Sequence, residues 1–439
     1  MASGYNNSAG QAALDRFTEM MIGRMEQMKA SDWKKGWIGG ASGYAGLPRN
    51  VGGRNYSGSN SLFLQLYTVE KGYRLPVYLT FKQAHNLKAH VLKGEKAFPV
   101  VYWDMMVKDK DGRKVSSEEY HAMSKEEKKE MEVFPFVKAF PVYNVEQTNL
   151  AEVQPERMQK LFDKFKVPEL RDTEGMYAHA AIDRMVQAQG WLCPIQADKR
   201  EDGAYYSPSR DIVVVPMKAQ FNKGGTPEET YRGGMEYYST MLHEMAHSTM
   251  TPERLNRDGM GRFGDPKYAK EELVAELTAA MISHSMGFDS KVTDNSAAYL
   301  DSWIGVLKKE PKFIVSVMAD VNKASDMILD RIDSQRLALG EQPYLAKNDP
   351  LRPLGPDEEV PFRNASIVKT RSGGYAIRAS YGGVELGLKP VTKGTAMTYF
   401  RLTDMNDKAA FLDMTARKIY EPDIAVLGRT QKAGAKIGM

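Results

Sequence analysis

Cysteine is nearly absent: the 439 residues hold one, Cys193. That excludes a disulfide framework and a cysteine-rich metal cluster. Long apolar runs are missing as well. No stretch of about 18 apolar residues occurs, so no transmembrane helix is expected. The opening segment MASGYNNSAGQAALDRF lacks the apolar core of a signal peptide. The expectation is a soluble, cytoplasmic protein with no membrane partner. Net charge is only +4, and histidine is scarce, with seven in the chain. What is present is an ordinary globular mixture, 42% hydrophobic and 26% charged, which excludes a disordered or collagen-like chain.

The small net charge hides an uneven distribution. Residues 1–103 carry thirteen Lys or Arg against six Asp or Glu, and the other 336 carry 47 against 50. Basic character is confined to the first quarter, as a region meeting a polyanion requires. Leu14, Phe17, Met20, Met21, Met25 and Met28 recur at helical spacing and predict an amphipathic helix over 11–30. A helix over 61–71 follows, then strands at VYLTF and FPVVYW with a short helix from Lys82 between them. Residues 104–132 read as a charged, solvated excursion with a hairpin tip at KDKDGRK and a short helix at SKEEKKEME. VFPFVKAFPVYNVEQT then returns to strand and closes a first domain near residue 150.

From residue 155 the pattern is mainly helical, with one strand at DIVVVP. Five prolines within 21 residues mark a linker at 346–361. Short strands at ASIVKT, GYAIRAS, GVELGLK and MTYFRL, then one helix, predict a small α+β module over 362–425. A basic tail covers 426–439. The expected fold is therefore α+β and multidomain: 1–150, a mainly helical 151–345, the linker, the module and the tail.

The feature that carries chemistry is HEMAH, residues 243–247. Helical spacing puts His243 and His247 on one face, one turn apart, where both imidazoles can reach one cation. Glu244 projects beside them, placed to take a proton from the attacking water. Such a site needs a third ligand. Downstream, YAKEELVAEL puts Glu272 and Glu276 at i and i+4 on a second helix. Glu271 is a competing ligand about 100° round that helix, and His284 another. His85, His90, His121 and His179 have no partners at ligand spacing. This arrangement resembles the zinc peptidases whose third ligand is a glutamate. The resemblance implies one Zn2+ on His243, His247 and Glu272, with Glu276 orienting a histidine from behind. Metal-assisted peptide hydrolysis follows, with Glu244 as proton acceptor and donor. The strand around Ile212–Val215 is expected to offer its edge to an extended substrate, and Tyr237 or Tyr238 to polarise the oxyanion.

The first domain interleaves cations with flat rings, the combination that holds single-stranded nucleic acid. Candidate contacts are Trp33, Lys34, Lys35, Trp37, Arg49, Asn50, Arg54, Tyr56, Asn60, Lys82, Gln83, Lys93 and Lys96. Tyr78, Phe81 and Tyr102, on alternating strands, are expected in the core.

LPRNVGGRNYSGSNSLFL followed by YLTFKQAHNLKAHVLKGEKAFPVVYW resembles the N-terminal single-stranded-DNA-binding domain of ArdC-type antirestriction proteins. YYSPSRDIVVVP, MEYYSTMLHEMAHST, RLNR at 254–257, GRFGD and YAKEELVAEL, in that order, resemble the family's zincin-like peptidase domain. The agreement spans about residues 10–335. It implies a protein of a mobile element that binds single-stranded DNA and protects incoming DNA from host restriction. A protein substrate, such as a host restriction component, is implied as a second partner. Two alternatives share the same motifs: a DNA-protecting protein with an idle or regulatory peptidase fold, and a peptidase that cuts a repressor. One departure is local: the family often has His-Trp-Thr-Gly where this chain has His247, Ser248, Thr249 and Met250.

Overall fold

The computed structural model describes residues 8–31, 36–38, 43–116, 119–120, 123–257, 265–288, 290, 298–348, 363–370, 373–381, 384–402, 408, 411–412, 415–416 and 418–420. The expected linker, apart from its first residues, and the tail lie outside them, as do Trp33, Lys34, Lys35 and most of GRFGD. The fold is α+β and multidomain, with two compact units: residues 1–106 with 133–345, and residues 107–132 with 346–439.

Unit 1 opens with α1 (Ser8–Ala30). Its Leu14, Phe17, Met21, Met25 and Met28 are buried at the expected helical spacing. After β1 (Arg49–Asn50), α2 (Ser59–Glu70) packs on α1, and Phe17 stacks on Phe63 with ring centroids 4.2 Å apart. Then come β2 (Val77–Leu79), α3 (Phe81–Asn86), β3 (Phe98–Lys108) and, across the excursion, β5 (Glu132–Asn144). In this unit the strands lie in the order β1-β2-β5-β3. In the second unit, β4 (Lys114–Val115) pairs antiparallel with Val107–Lys108. The helices α5 (Leu150–Val153), α6 (Pro155–Phe165) and α7 (Ala180–Gln187) lead into a small sheet of β6 (Ile195–Gln196), β7 (Tyr205–Ser207) and β8 (Ile212–Val214).

Four helices complete the unit: α8 (Pro227–Ser248), α9 (Pro266–Ser285), α10 (Leu300–Lys309) and α11 (Phe313–Ala338). The start of α8 follows from Thr-Pro-Glu-Glu. Thr226 and Glu229 form a reciprocal capping box, and Pro227 occupies the first turn, where no N–H is needed. Helix α9 is buried on nearly every side, which is why its sequence lacks a polar stripe. One apolar core joins Leu14, Phe17 and Phe63 to Leu273, Leu277 and Trp303. The expected boundary near residue 150 therefore runs inside one unit.

Gly234 sits in mid-α8, where glycine costs helix stability. The reason is contact: a Cβ there would meet the Tyr177 backbone nitrogen and, at 2.6 Å, its carbonyl oxygen. Gly234→Ala should destabilise by about 1–3 kcal/mol despite its better helix propensity, read as a lower melting temperature. An unchanged or raised value would show that the two backbones can part freely.

Unit 2 contains the excursion and the C-terminal module. The tip folds as a turn at Asp109–Arg113, with the Asp109 carboxylate accepting from the Asp111 and Arg113 amides at 2.9 Å. A short helix, α4 (Lys125–Lys129), is capped by Ser124. The module is an antiparallel meander of β9 (Arg363–Lys369), β10 (Tyr375–Tyr381) and β11 (Val384–Val391), then α12 (Lys393–Arg401). MTYFRL, expected as a strand, lies mostly in α12. Thr392 caps that helix, and the buried Ala396 packs on the sheet, so context overrides β propensity. Tyr420 is fully buried, its hydroxyl lying 2.8 and 2.7 Å from the Ile377 and Gly387 carbonyls.

Candidate metal centre

Helices α8 and α9 pack against each other and bring the HEMAH motif against the glutamates of α9. His243 Nε2 and His247 Nε2 lie 3.1 Å apart. Glu272 Oε2 is 3.7 Å from the first and Oε1 3.4 Å from the second. Two ligand atoms about 2.0–2.1 Å from one tetrahedral ion stand roughly 3.3 Å apart, so these separations fit a single cation. Among the described residues, His243, His247 and Glu272 form a group placed to hold one ion. All three are nearly buried.

Each histidine also has a carboxylate behind it. His247 Nδ1 lies 3.5 Å from Glu271 Oε1, and His243 Nδ1 lies 3.8 Å from Glu276 Oε1. Glu271, weighed above as a ligand, thus serves the far nitrogen of His247. It is held by Arg257, whose Nε and Nη2 donate to its two oxygens at 2.9 and 2.5 Å. Arg257 also donates to Thr249 Oγ1 and the Ala246 carbonyl, tying the end of α8 to α9. Burial pulls the His247 imidazole down, but Glu271 and Glu272 outweigh it and raise it well above its usual value. Burial pushes the Glu272 carboxyl up, and hydrogen bonding and attraction from His247 outweigh that, bringing it down to about 2. Cation binding and protonation therefore compete at His247, which ties binding to pH.

Glu244 follows His243 on α8 and is 8% exposed. Tyr268, one turn before Glu272 on α9, hydrogen-bonds Glu272, and burial raises its phenol. Its i, i+4 spacing to Glu272 is the signal the sequence carries for it.

Several expected roles fall elsewhere. Ile212–Val214 is the middle strand in the order β6-β8-β7, so both its edges are taken and it cannot add a substrate strand. The Tyr238 hydroxyl is committed in the core. It donates to Asp183 at 2.7 Å and accepts from the His179 amide, and Tyr237 is 5% exposed. His179 itself caps α7, and burial, aided by Arg336, lowers it to about 3. His284 is buried near the end of α9, three turns beyond Glu272. Of the positions that depart from the His-Trp-Thr-Gly pattern, Ser248 is fully buried and accepts from the Trp191 indole, and Met250 is buried as well.

The nucleic-acid candidates divide. Trp37 is 1% exposed and Asn60 7%, with Asn60 bonded both ways to the Val101 backbone, so neither faces solvent. Arg49 is buried with its guanidinium 5.2 Å from the Phe165 ring centroid. Asn50 accepts from the Arg54 amide, Gln83 closes the capping box of α3, and Tyr56 packs edge-on against Tyr78. Arg54, Lys82, Lys93 and Lys96 are exposed. Of the three rings expected in the core, Tyr78 is there, but Phe81 is 63% and Tyr102 50% exposed. Phe81 opens α3, outside the strands, and Tyr102, on the solvent side of β3, meets the exposed Phe140 edge-on.

The comparisons with known proteins address the same two regions. Residues 11–143 match the N-terminal domain of anti-restriction factor ArdC, and residues 180–320 match a zincin-like metallopeptidase. The chain carries the ArdC-type pair of domains. His243, Glu244, His247 and Glu272, on α8 and α9, all fall in the zincin-like match. The antirestriction ArdC protein of plasmid R388, in its metal-free crystal structure, is 27% identical. It aligns with a TM-score of 0.51 over 72% of this chain and 98% of that one. The uncharacterized protein y4eC of Sinorhizobium fredii (strain NBRC 101917 / NGR234) is 28% identical over 73% of this chain and 93% of its own length. The DNA primase TraC of Escherichia coli is 31% identical over 70% of this chain, which spans only 19% of that protein. No helix among the described residues is long and apolar enough to cross a membrane.

Proposed function

We propose that this chain protects incoming DNA of a mobile element from host restriction. It binds that DNA as a single strand and hydrolyses a protein substrate at the site on α8 and α9. The observation that carries the reading is the convergence of His243, His247 and Glu272 beside Glu244, in a chain whose first third matches the ArdC N-terminal domain. The donor set of two imidazoles and a carboxylate suits Zn2+. When bound, that ion supplies Lewis acidity toward a scissile carbonyl and water. Glu244 takes the proton of the attacking water and passes it to the leaving amine. Glu271 and Glu276 hold the imidazoles in place, and the Tyr268 phenol can donate toward a developing oxyanion. Phe81, Tyr102 and Phe140 offer stacking faces, and Arg54, Lys82, Lys93 and Lys96 meet phosphates.

The test is transfer of unmodified plasmid DNA into a restricting recipient, with the chain supplied beforehand. Survival should rise with the chain and not with an empty vector; no rise would sink the antirestriction reading. In parallel, a labelled oligothymidylate should bind, with log K falling as log salt rises. At about 0.7 per neutralised phosphate, the four exposed cations imply a slope near −3. Charge reversal at Lys93 and Lys96 should flatten it. A slope that these changes leave unaltered would move the strand elsewhere.

A further inference from the structure

The two histidines of the site are braced in parallel ways by different parts of the chain. Behind His247 stands Glu271, held by Arg257. Behind His243 stands Glu276, and its Oε2 accepts a hydrogen bond from the Trp37 indole Nε1–H at 2.9 Å. Trp37 lies 239 positions upstream of Glu276 and outside the zincin-like match. Its ring is 1% exposed and packs 6.0 Å from the Trp303 ring. The other oxygen of Glu276 faces His243 Nδ1 at 3.8 Å, and that buried nitrogen has no hydrogen-bond partner among the described residues. His243 therefore presents Nε2 to the cation site, while its second nitrogen waits on a carboxylate whose orientation Trp37 sets.

We infer that Trp37 is a positioning residue for the metal site, acting through Glu276 on His243. This rests on the metal-site reading above. An indole N–H on one oxygen of Glu276 leaves the other aimed at the imidazole, placed to accept from His243 Nδ1–H. That fixes the tautomer with Nε2 as the ligand atom and raises its basicity. The N-terminal region thereby completes the metal site, beyond sharing a core with it.

The experiment uses the full chain. Trp37→Phe keeps a ring against Trp303 and removes only the donor. Zn2+ affinity, measured by chelator competition, should fall about tenfold, the lower end for lost outer partners of a metal ligand. The absorption spectrum of bound Co2+, which reads ligand orientation, should shift. Glu276→Gln should weaken Zn2+ by at least as much. Adding Trp37→Phe to Glu276→Gln should then change affinity by no more than about twofold, because the path is already cut. Wild-type affinity and spectrum in Trp37→Phe would overturn the inference. So would an equal further loss in the Glu276→Gln background, since the effect would then bypass the carboxylate. Absence of Zn2+ and Co2+ binding by the wild-type chain would instead sink the metal reading itself.

Discussion

Glu244→Gln should leave Zn2+ binding unchanged and lower hydrolysis of an unfolded protein such as casein by about 100- to 10,000-fold, the range for loss of a positioned proton-transfer group. The amide keeps the size of the side chain but cannot accept the proton from water. Three features make the effect large. Glu244 is nearly buried, it adjoins His243 in sequence, and its charge acts on His247. The ligands themselves are untouched, so a chelator titration should give the wild-type affinity. Hydrolysis at the wild-type rate would remove Glu244 from the mechanism. The same variant also sorts the biology. If it still protects transferred DNA fully, protection belongs to the DNA-binding region and the peptidase fold is idle or regulatory. If protection is lost while oligothymidylate binding persists, a protein substrate is being cut.

The second large effect is expected at Arg257. Its guanidinium is 6% exposed and its partner Glu271 5%, and His247 is a second partner of that carboxylate. Burial alone would push the Glu271 carboxyl up; Arg257, with His247 adding, keeps it below its usual value. Removing one partner of a buried pair leaves the other desolvated and unpaired, at about 3–5 kcal/mol. Arg257→Ala should therefore cost stability of that order. It also drops the hydrogen bonds to Thr249 and Ala246 that close the end of α8. Because Glu271 braces His247, Zn2+ affinity should fall about 10- to 100-fold besides. Arg257→Lys keeps the charge without the fork and should land between. Chemical denaturation and chelator competition read the two effects separately. A chain that loses neither stability nor affinity in Arg257→Ala would show the pair to be solvated.

What the sequence alone determined is whatever depends on local spacing. HEMAH on a helix places two imidazoles one turn apart wherever that helix goes, and Glu272 and Glu276 share a face for the same reason. The apolar stripe of α1 and the hairpin tip at Asp109 were legible because their partners lie within a few residues. The motif order from LPRNVGG to YAKEELVAEL pointed to the ArdC-type pair of domains that the comparisons show.

Tertiary structure decided what depends on neighbours distant in the chain. Trp37 reads as one more ring in a basic stretch, and its burial against Trp303 and bond to Glu276 follow from how α1 and α2 share a core with α9 and α10. Spacing could rank Glu271 against Glu272, but only the path of Arg257 back onto α9 showed what Glu271 does instead. An apolar run such as Ile212–Val214 does not reveal whether it lies at the centre or edge of its sheet; that depends on strands ending 16 and 5 residues before it. Local periodicity sets which side of an element is apolar, and packing alone chooses what that side meets.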